Sequence, residues 1–116
     1  MSTTLLKQII QNAMGIHNDG TYLYVGLNSG KIIKITISGA AQADFAILND
    51  EIAALTADAT NLYVGMKSGQ LKNVVISTGV VSTLEFFPAG VVSLGINSTN
   101  LYIGLDNGEI RYKDLS

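Results

Sequence analysis

The sequence predicts an all-β fold made of three copies of one four-stranded antiparallel unit, and three observations carry that prediction. The first is a repeat. The stretch Asn-Leu-Tyr-Val-Gly-Met-Lys-Ser-Gly at residues 61–69 has close copies at residues 22–30 and 100–108, and Leu23, Leu62 and Leu101 keep register at intervals of 39. The second is punctuation. Short polar turns precede each copy, and a three-residue run ending in glycine closes it, both of the composition that reverses a chain. The third is patterning: the strand that carries Leu-Tyr-Val/Ile-Gly is apolar or aromatic on both alternating faces, which suits a strand covered on both sides by neighbouring sheets.

In chain order, residues 3–10 hold the place that residues 42–49 and 81–88 hold in the later copies. They are therefore expected to be a strand, although Leu5, Leu6, Ile9 and Ile10 alone could form one face of a helical turn. Residues 13–18 align with 52–57 and 91–96 as the first strand of each unit. A large apolar side chain recurs there at Ile16, Leu55 and Leu94, and a small residue before it at Gly15, Ala54 and Ser93, the kind of site where backbones come close.

Asp19-Gly20, Asp58-Ala59 and Asn97-Ser98 then turn the chain into its second strand, over residues 23–26, 62–65 and 101–104. A lone strand glycine recurs at Gly26, Gly65 and Gly104, the mark of a close backbone approach. The reversals Asn28-Ser29-Gly30, Lys67-Ser68-Gly69 and Asp106-Asn107-Gly108 suit a hairpin whose last loop residue is left-handed. The return strands, 31–38, 70–77 and 109–116, keep Ile32, Leu71 and Ile110 near one end and Ile37, Ile76 and Leu115 near the other. Between these anchors Lys34, Asn73 and Tyr112 replace one another, as a partly solvated strand permits. In the outer strands, 42–49 and 81–88, Phe45, Ile47, Leu84 and Phe86 are expected to make one apolar face.

Four strands in about 40 residues, with a small-residue first strand, Leu-Tyr-Val/Ile-Gly in the second and a hairpin ending Gly-Lys/Glu-Ile, resemble a β-propeller blade of the WD40-like and quinoprotein-like kind. The stretch at residues 101–110 is the nearest match. The Gly-His and Trp-Asp dipeptides of true WD40 blades are missing, and no catalytic or cofactor residue carries over. The repeat divides the chain into blade 1 (13–51), blade 2 (52–90) and blade 3 (91–116), the last without an outer strand. Residues 1–12 are then a spare outer strand that completes the last blade, in cis or from a partner chain.

An unpaired strand edge is a template for pairing, and propellers have roughly four to eight blades. The expectation is therefore a homodimer, a six-bladed ring in which Leu5, Leu6 and Ile9 of one chain meet the strand carrying Ile110, Tyr112 and Leu115 of the other. A monomeric β-trefoil or β-prism also contains three four-stranded units and stands as the alternative fold.

Composition narrows function mostly by exclusion. The 116 residues are 47% apolar and 14% charged with a net charge of −2, enough for a real core. No block of like charge points to nucleic acid or an anionic membrane. The lack of cysteine removes disulfides and thiolate ligands. No run approaches the roughly 20 apolar residues of a membrane-spanning helix, and no signal peptide is evident, so a cytoplasmic protein is expected.

His17, the only histidine, has no acid or nucleophile near it in sequence, and Asp50-Glu51 lack further ligands at metal spacing. With no triad, phosphate loop or zinc spacing, neither an enzyme nor a cofactor is expected. The propeller resemblance implies a ligand face built from the loops between blades and the hairpin tips. Those loops hold Gln11, Asn12, Asn49, Asp50, Glu51, Phe87 and Pro88, with Asn28, Lys67 and Asp106 from the hairpins. They differ between copies, unlike a lectin that repeats its site in each blade. The leading expectation is a noncatalytic scaffold or protein-interaction module that self-assembles by strand exchange, with another protein or a small ligand on the loop face. A lectin-like propeller for small ligands or carbohydrate, and a fragment of a propeller enzyme, are the alternatives.

Overall fold

The computed structural model describes residues 2–116. Within them the strands are β1 (Ala13–Asn18), β2 (Tyr22–Leu27), β3 (Lys31–Thr36), β4 (Gln42–Ile47), β5 (Ile52–Ala57), β6 (Asn61–Met66), β7 (Gln70–Val75), β8 (Val81–Phe86), β9 (Val91–Ile96), β10 (Asn100–Leu105) and β11 (Ile110–Asp114). They form three antiparallel meanders, ordered β1-β2-β3-β4, β5-β6-β7-β8 and β9-β10-β11. The first strands are where the sequence places them, and the return strands stop two residues earlier than expected, at Thr36, Val75 and Asp114.

Two turn devices make each meander. The side chain of Asp19 accepts hydrogen bonds from the N–H of Thr21 and Tyr22 at 2.9 and 2.7 Å. Asp58 does the same for Thr60 and Asn61 at 2.9 and 2.8 Å, and Asn97 for Thr99 and Asn100 at 3.0 and 2.8 Å. At the hairpins Gly30, Gly69 and Gly108 have φ of 92°, 101° and 90°, a region that a Cβ would oppose.

These caps predict an acid response. Backbone hydrogen bonds from Tyr22 and Thr21 hold the Asp19 carboxyl below the usual range. For Asp58, burial pushes upward, but hydrogen bonds from Asn61, Thr60 and Tyr63 together outweigh it, and the net shift is again downward. A depressed folded pKa means stability that is fully present above the ordinary carboxylate value, about 4, and lost as pH falls through the lower folded value. Asn97→Asp, which adds a third titrating cap, is expected to steepen the fall in melting temperature below about pH 4. Asp19→Asn with Asp58→Asn is expected to flatten it, since an amide oxygen accepts the same bonds; thermal melts between neutral and acid pH check both.

Blades 1 and 2 enclose one core, which includes Tyr24, Ile32, Leu48, Ile52, Leu62, Val64, Met66 and Val74, all buried. Blades 2 and 3 enclose a second, with Tyr63, Leu71, Val91, Leu101, Ile103 and Leu105. β1, β5 and β9 lie side by side, and the recurrent small residues explain why they can. A Cβ placed on Gly15 would stand 2.9 Å from the Cβ of Leu55, and one on Gly26 would stand 2.9 Å from Cγ2 of Ile52. Ala54 and Leu94 share the second core in the same way. Each blade thus offers a recess, and the next blade fills it. Sheets stacked face to face around adjacent first strands are propeller blades, which sets aside the trefoil and prism.

Two expectations for the outer strands are corrected. Residues 3–10 form no strand in the chain, because a strand needs a ladder partner, and β11, the edge that the repeat assigns to them, lies in the blade at the other end. In β4 and β8 the register shifts at Phe45 and Leu84, a bulge that inserts one residue and inverts the alternation beyond it. Phe45 and Leu84 therefore pack inward, whereas Ile47 and Phe86 are 60% and 71% exposed. Among the described residues no helix is long and apolar enough to cross a membrane.

Candidate functional site

The loop face is assembled by one repeated backbone stitch. The N–H of Asn28 donates to the carbonyl of Asn12 at 3.1 Å, that of Lys67 to Glu51 at 2.9 Å, and that of Asp106 to Gly90 at 2.9 Å. The N–H of Leu48 and of Phe87 donate to the carbonyls of Gly30 and Gly69, both at 2.8 Å. Asn12 is thereby tied to Asn28 of blade 1, and Glu51, the last residue of blade 1, to Lys67 of blade 2, so that each stitch fastens a connecting loop to the hairpin that follows it. The Lys67 ammonium lies 3.6 Å from the Glu51 carboxylate, largely in solvent, where such a pair contributes little. Asp50 accepts the Glu51 N–H at 2.8 Å, and Asn49 occupies a left-handed turn at φ 63°.

The loops are held mainly by their backbone, with the Asp50 carboxylate and the Lys67–Glu51 pair as the side-chain contributions. Phe87, expected on the ligand face, packs in part against the second core, with the Arg111 guanidinium 5.6 Å from its ring centre. His17 is half-buried and stacks on Tyr24, ring centres 6.4 Å apart. Among the described residues there is no cluster of three or more His, Asp or Glu placed to hold a metal, and no buried side-chain polar atom lacks a partner.

The ends of the blade stack are different. On the outer face of blade 3, Tyr102, Ile110 and Tyr112 are 39%, 77% and 70% exposed, and the two tyrosine rings lie 6.3 Å apart. The counterparts of Tyr102 and Ile110 in blades 1 and 2, Tyr24 with Ile32 and Tyr63 with Leu71, are buried beneath the next blade. β11 is an edge strand. Beside it opens a cavity of about 480 Å³ bordered by Glu85, Phe87, Ile103, Arg111, Lys113 and Asp114. Leu115, expected to take part in assembly, is instead half-buried against the second core, its N–H bonded to the carbonyl of Thr99 at 2.8 Å.

At the opposite end Val25, Leu27, Ile33 and Ile35 of blade 1 form a third apolar cluster, buried in the chain, on which Ile9 packs. A cavity of about 310 Å³ remains between the segment at Gln8–Gln11 and the residues Leu27, Lys31, Ile33 and Gln42. Leu5 and Leu6 reach no such cover and are 73% and 45% exposed. Ile16, counterpart of the interlocking Leu55 and Leu94, is 57% exposed, and Ser93, the counterpart of Gly15 and Ala54, is exposed as well. Sequence reasoning had singled out both positions as a recurrent pair; it missed that the Ile16 knob and the Ser93 recess are left without a mate.

No protein-family model matches the chain. Comparison by sequence with characterised proteins likewise finds no match. Solved structures do match. The WD40 β-propeller domain of Doa1 superimposes with a TM-score of 0.82 at 14% identity, over 95% of this chain and 40% of that one. The computationally designed Ika8 protein gives 0.74 at 16% identity, over 86% of this chain and 32% of that one. The computationally designed Ika4 protein gives 0.63 at 12% identity, with all of both chains covered. The chain thus spans about a third of Ika8 and two fifths of the Doa1 domain, and at these identities the likeness establishes the β-propeller fold.

Proposed function

We propose that this β-propeller chain is a noncatalytic scaffold, a protein-interaction module whose first partner is a second copy of itself. Two copies, joined head to tail at both ends, make a six-bladed ring about a twofold axis, in which residues 3–10 of each complete blade 3 of the other. One observation carries the reading: the two end faces are the two halves of the joint that the chain already makes twice internally. Blade 3 offers Tyr102, Ile110 and the recess at Ser93; blade 1 offers the Ile16 knob beside Val25, Leu27 and Ile33, which are already buried in the single chain with Ile9 packed on them. An apolar face rimmed by polar residues marks an interaction site, and repetition of an internal joint says which partner fits it. The WD40 likeness supports an interaction role at the level of fold alone.

Solution mass tests this directly. Light scattering or native mass spectrometry is expected to give twice the 12.3 kDa of one chain. A stable monomer at micromolar concentration would overturn the proposal.

A further inference from the structure

Residues 2–12 enter the fold where an outer strand would. The stitch from Asn28 to Asn12 repeats those from Lys67 to Glu51 and from Asp106 to Gly90, so the segment joins blade 1 in phase with the repeat. Three residues earlier stands Ile9, the counterpart of Leu48 and Phe87 at intervals of 39. Leu48 lies in the core with Val64 and Met66, and Phe87 in that with Ile103 and Leu105. Ile9 lies with Val25 and Leu27, the matching pair of blade 1. The same side chain position meets the same partners in all three places.

We infer that residues 3–10, anchored on blade 1 at Ile9 and Asn12, become an outer strand when β11 of a second copy pairs with them. This rests on the ring proposed above and adds its register. β3 pairs Lys31 with Ile47, Ile32 with Ala46 and Ile33 with Asp44, and β7 pairs Gln70 with Phe86, Leu71 with Glu85 and Lys72 with Thr83. Carried forward by 39, Glu109 pairs with Gln8, Ile110 with Lys7 and Arg111 with Leu5 of the other copy.

The side chains agree with that register. Leu6 falls on the bulge, where Phe45 and Leu84 turn inward, so Leu6 and Ile9 face the joint, while Leu5 and Ile10 stay on the outer side. Gln8 and Ile10 fall where Ile47, Phe86, Asn49 and Pro88 are exposed. The backbone groups of residues 3–10 have no ladder in the lone chain, and the cavity beside Ile9 shows that the seat is only partly filled. β11 meets both needs at once, because it is an edge strand bordered by its own cavity. Since the segment is anchored at Ile9 and Asn12 before the partner arrives, association requires residues 3–8 to be ordered into a strand, an entropic cost limited to those few residues.

The chain has no cysteine, so disulfide trapping reads the register without background. Residues directly opposite in an antiparallel pair bring their Cβ atoms to about 4.5–5.5 Å, within reach of a disulfide after small adjustment. Full-length Leu5→Cys/Arg111→Cys chain, equilibrated with oxidised glutathione, is expected to link as a covalent dimer, while Gln8→Cys/Arg111→Cys, out of register, links at least tenfold more slowly. Dimer by mass with the second variant linking faster overturns the register and leaves the ring standing. A link formed within one chain, at monomer mass, overturns the second copy as occupant. A chain that is monomeric and unlinked overturns both the strand pairing and the ring.

Discussion

Gly65→Val is expected to lower the stability of the fold by about 3 kcal/mol, an overpacking effect at the upper end for a single added side chain. The Cβ position of Gly65 is already occupied by the side chain of Val91 from the next blade. Val91 is 1% exposed among Tyr63, Leu71 and Ile103 and has nowhere to retreat. Intrinsic preference works the other way, because valine suits a strand better than glycine by up to about 1 kcal/mol. The steric term wins because the collision is between main-chain-anchored groups at the centre of a core. At Gly104 the same change is milder, since the group in the way is the Ser93 hydroxyl, which can rotate aside. Urea unfolding of the two variants checks the contrast; equal midpoints would mean that blades 2 and 3 do not interlock at Gly65.

Ile16→Asp is expected to abolish assembly while leaving the single chain folded. Ile16 is 57% exposed in the chain, so a carboxylate there stays hydrated and costs the monomer little. In the ring it would enter the recess at Ser93, and a buried carboxylate with no cationic partner costs several kcal/mol. A twofold ring contains that contact twice, so the dissociation constant is expected to rise by more than about a thousandfold. Ser93→Trp, which fills the recess from the other side, should act alike. Sedimentation across a concentration series reads the loss of dimer, and a thermal melt of the dilute variant reads the intact monomer. If Ile16→Asp remained dimeric with unchanged affinity, blade 1 would not be the seat.

Much of this architecture was legible because the repeat acts as an internal control. The first strands at Ala13, Ile52 and Val91, the hairpin glycines and the small-large pairs at Gly15 and Ile16 all lie where the interval of 39 puts them. What was hidden depended on neighbours more than on sequence. The bulges at Phe45 and Leu84 leave a period-two pattern intact on paper and yet expose Ile47 and Phe86. Phe87 reads as a loop aromatic, but the bulge sends it toward the core. Residues 3–10 have the composition of a strand and lack the ladder partner that would make them one. Lys34 reads as a solvated charge, whereas its ammonium sits 3.9 Å over the ring of Tyr22. Among the candidate binding residues on the loops, Asn12, Glu51, Asn28, Lys67 and Asp106 take part in backbone stitches that composition does not reveal.

The joints between blades share a plan and differ in chemistry, and the ion pair of Lys113 with Glu85, 3.8 Å apart, shows the difference. At the equivalent place between blades 1 and 2 stand Val74 and Ala46, both in the core. A nascent blade that captures the wrong neighbour would lose this pair, a modest cost for side chains that stay partly in solvent. Near-identical repeats are prone to such misassembly as they fold. The two internal junctions thus differ in chemistry, one aliphatic and one ionic, although the copies are similar enough to build one shape.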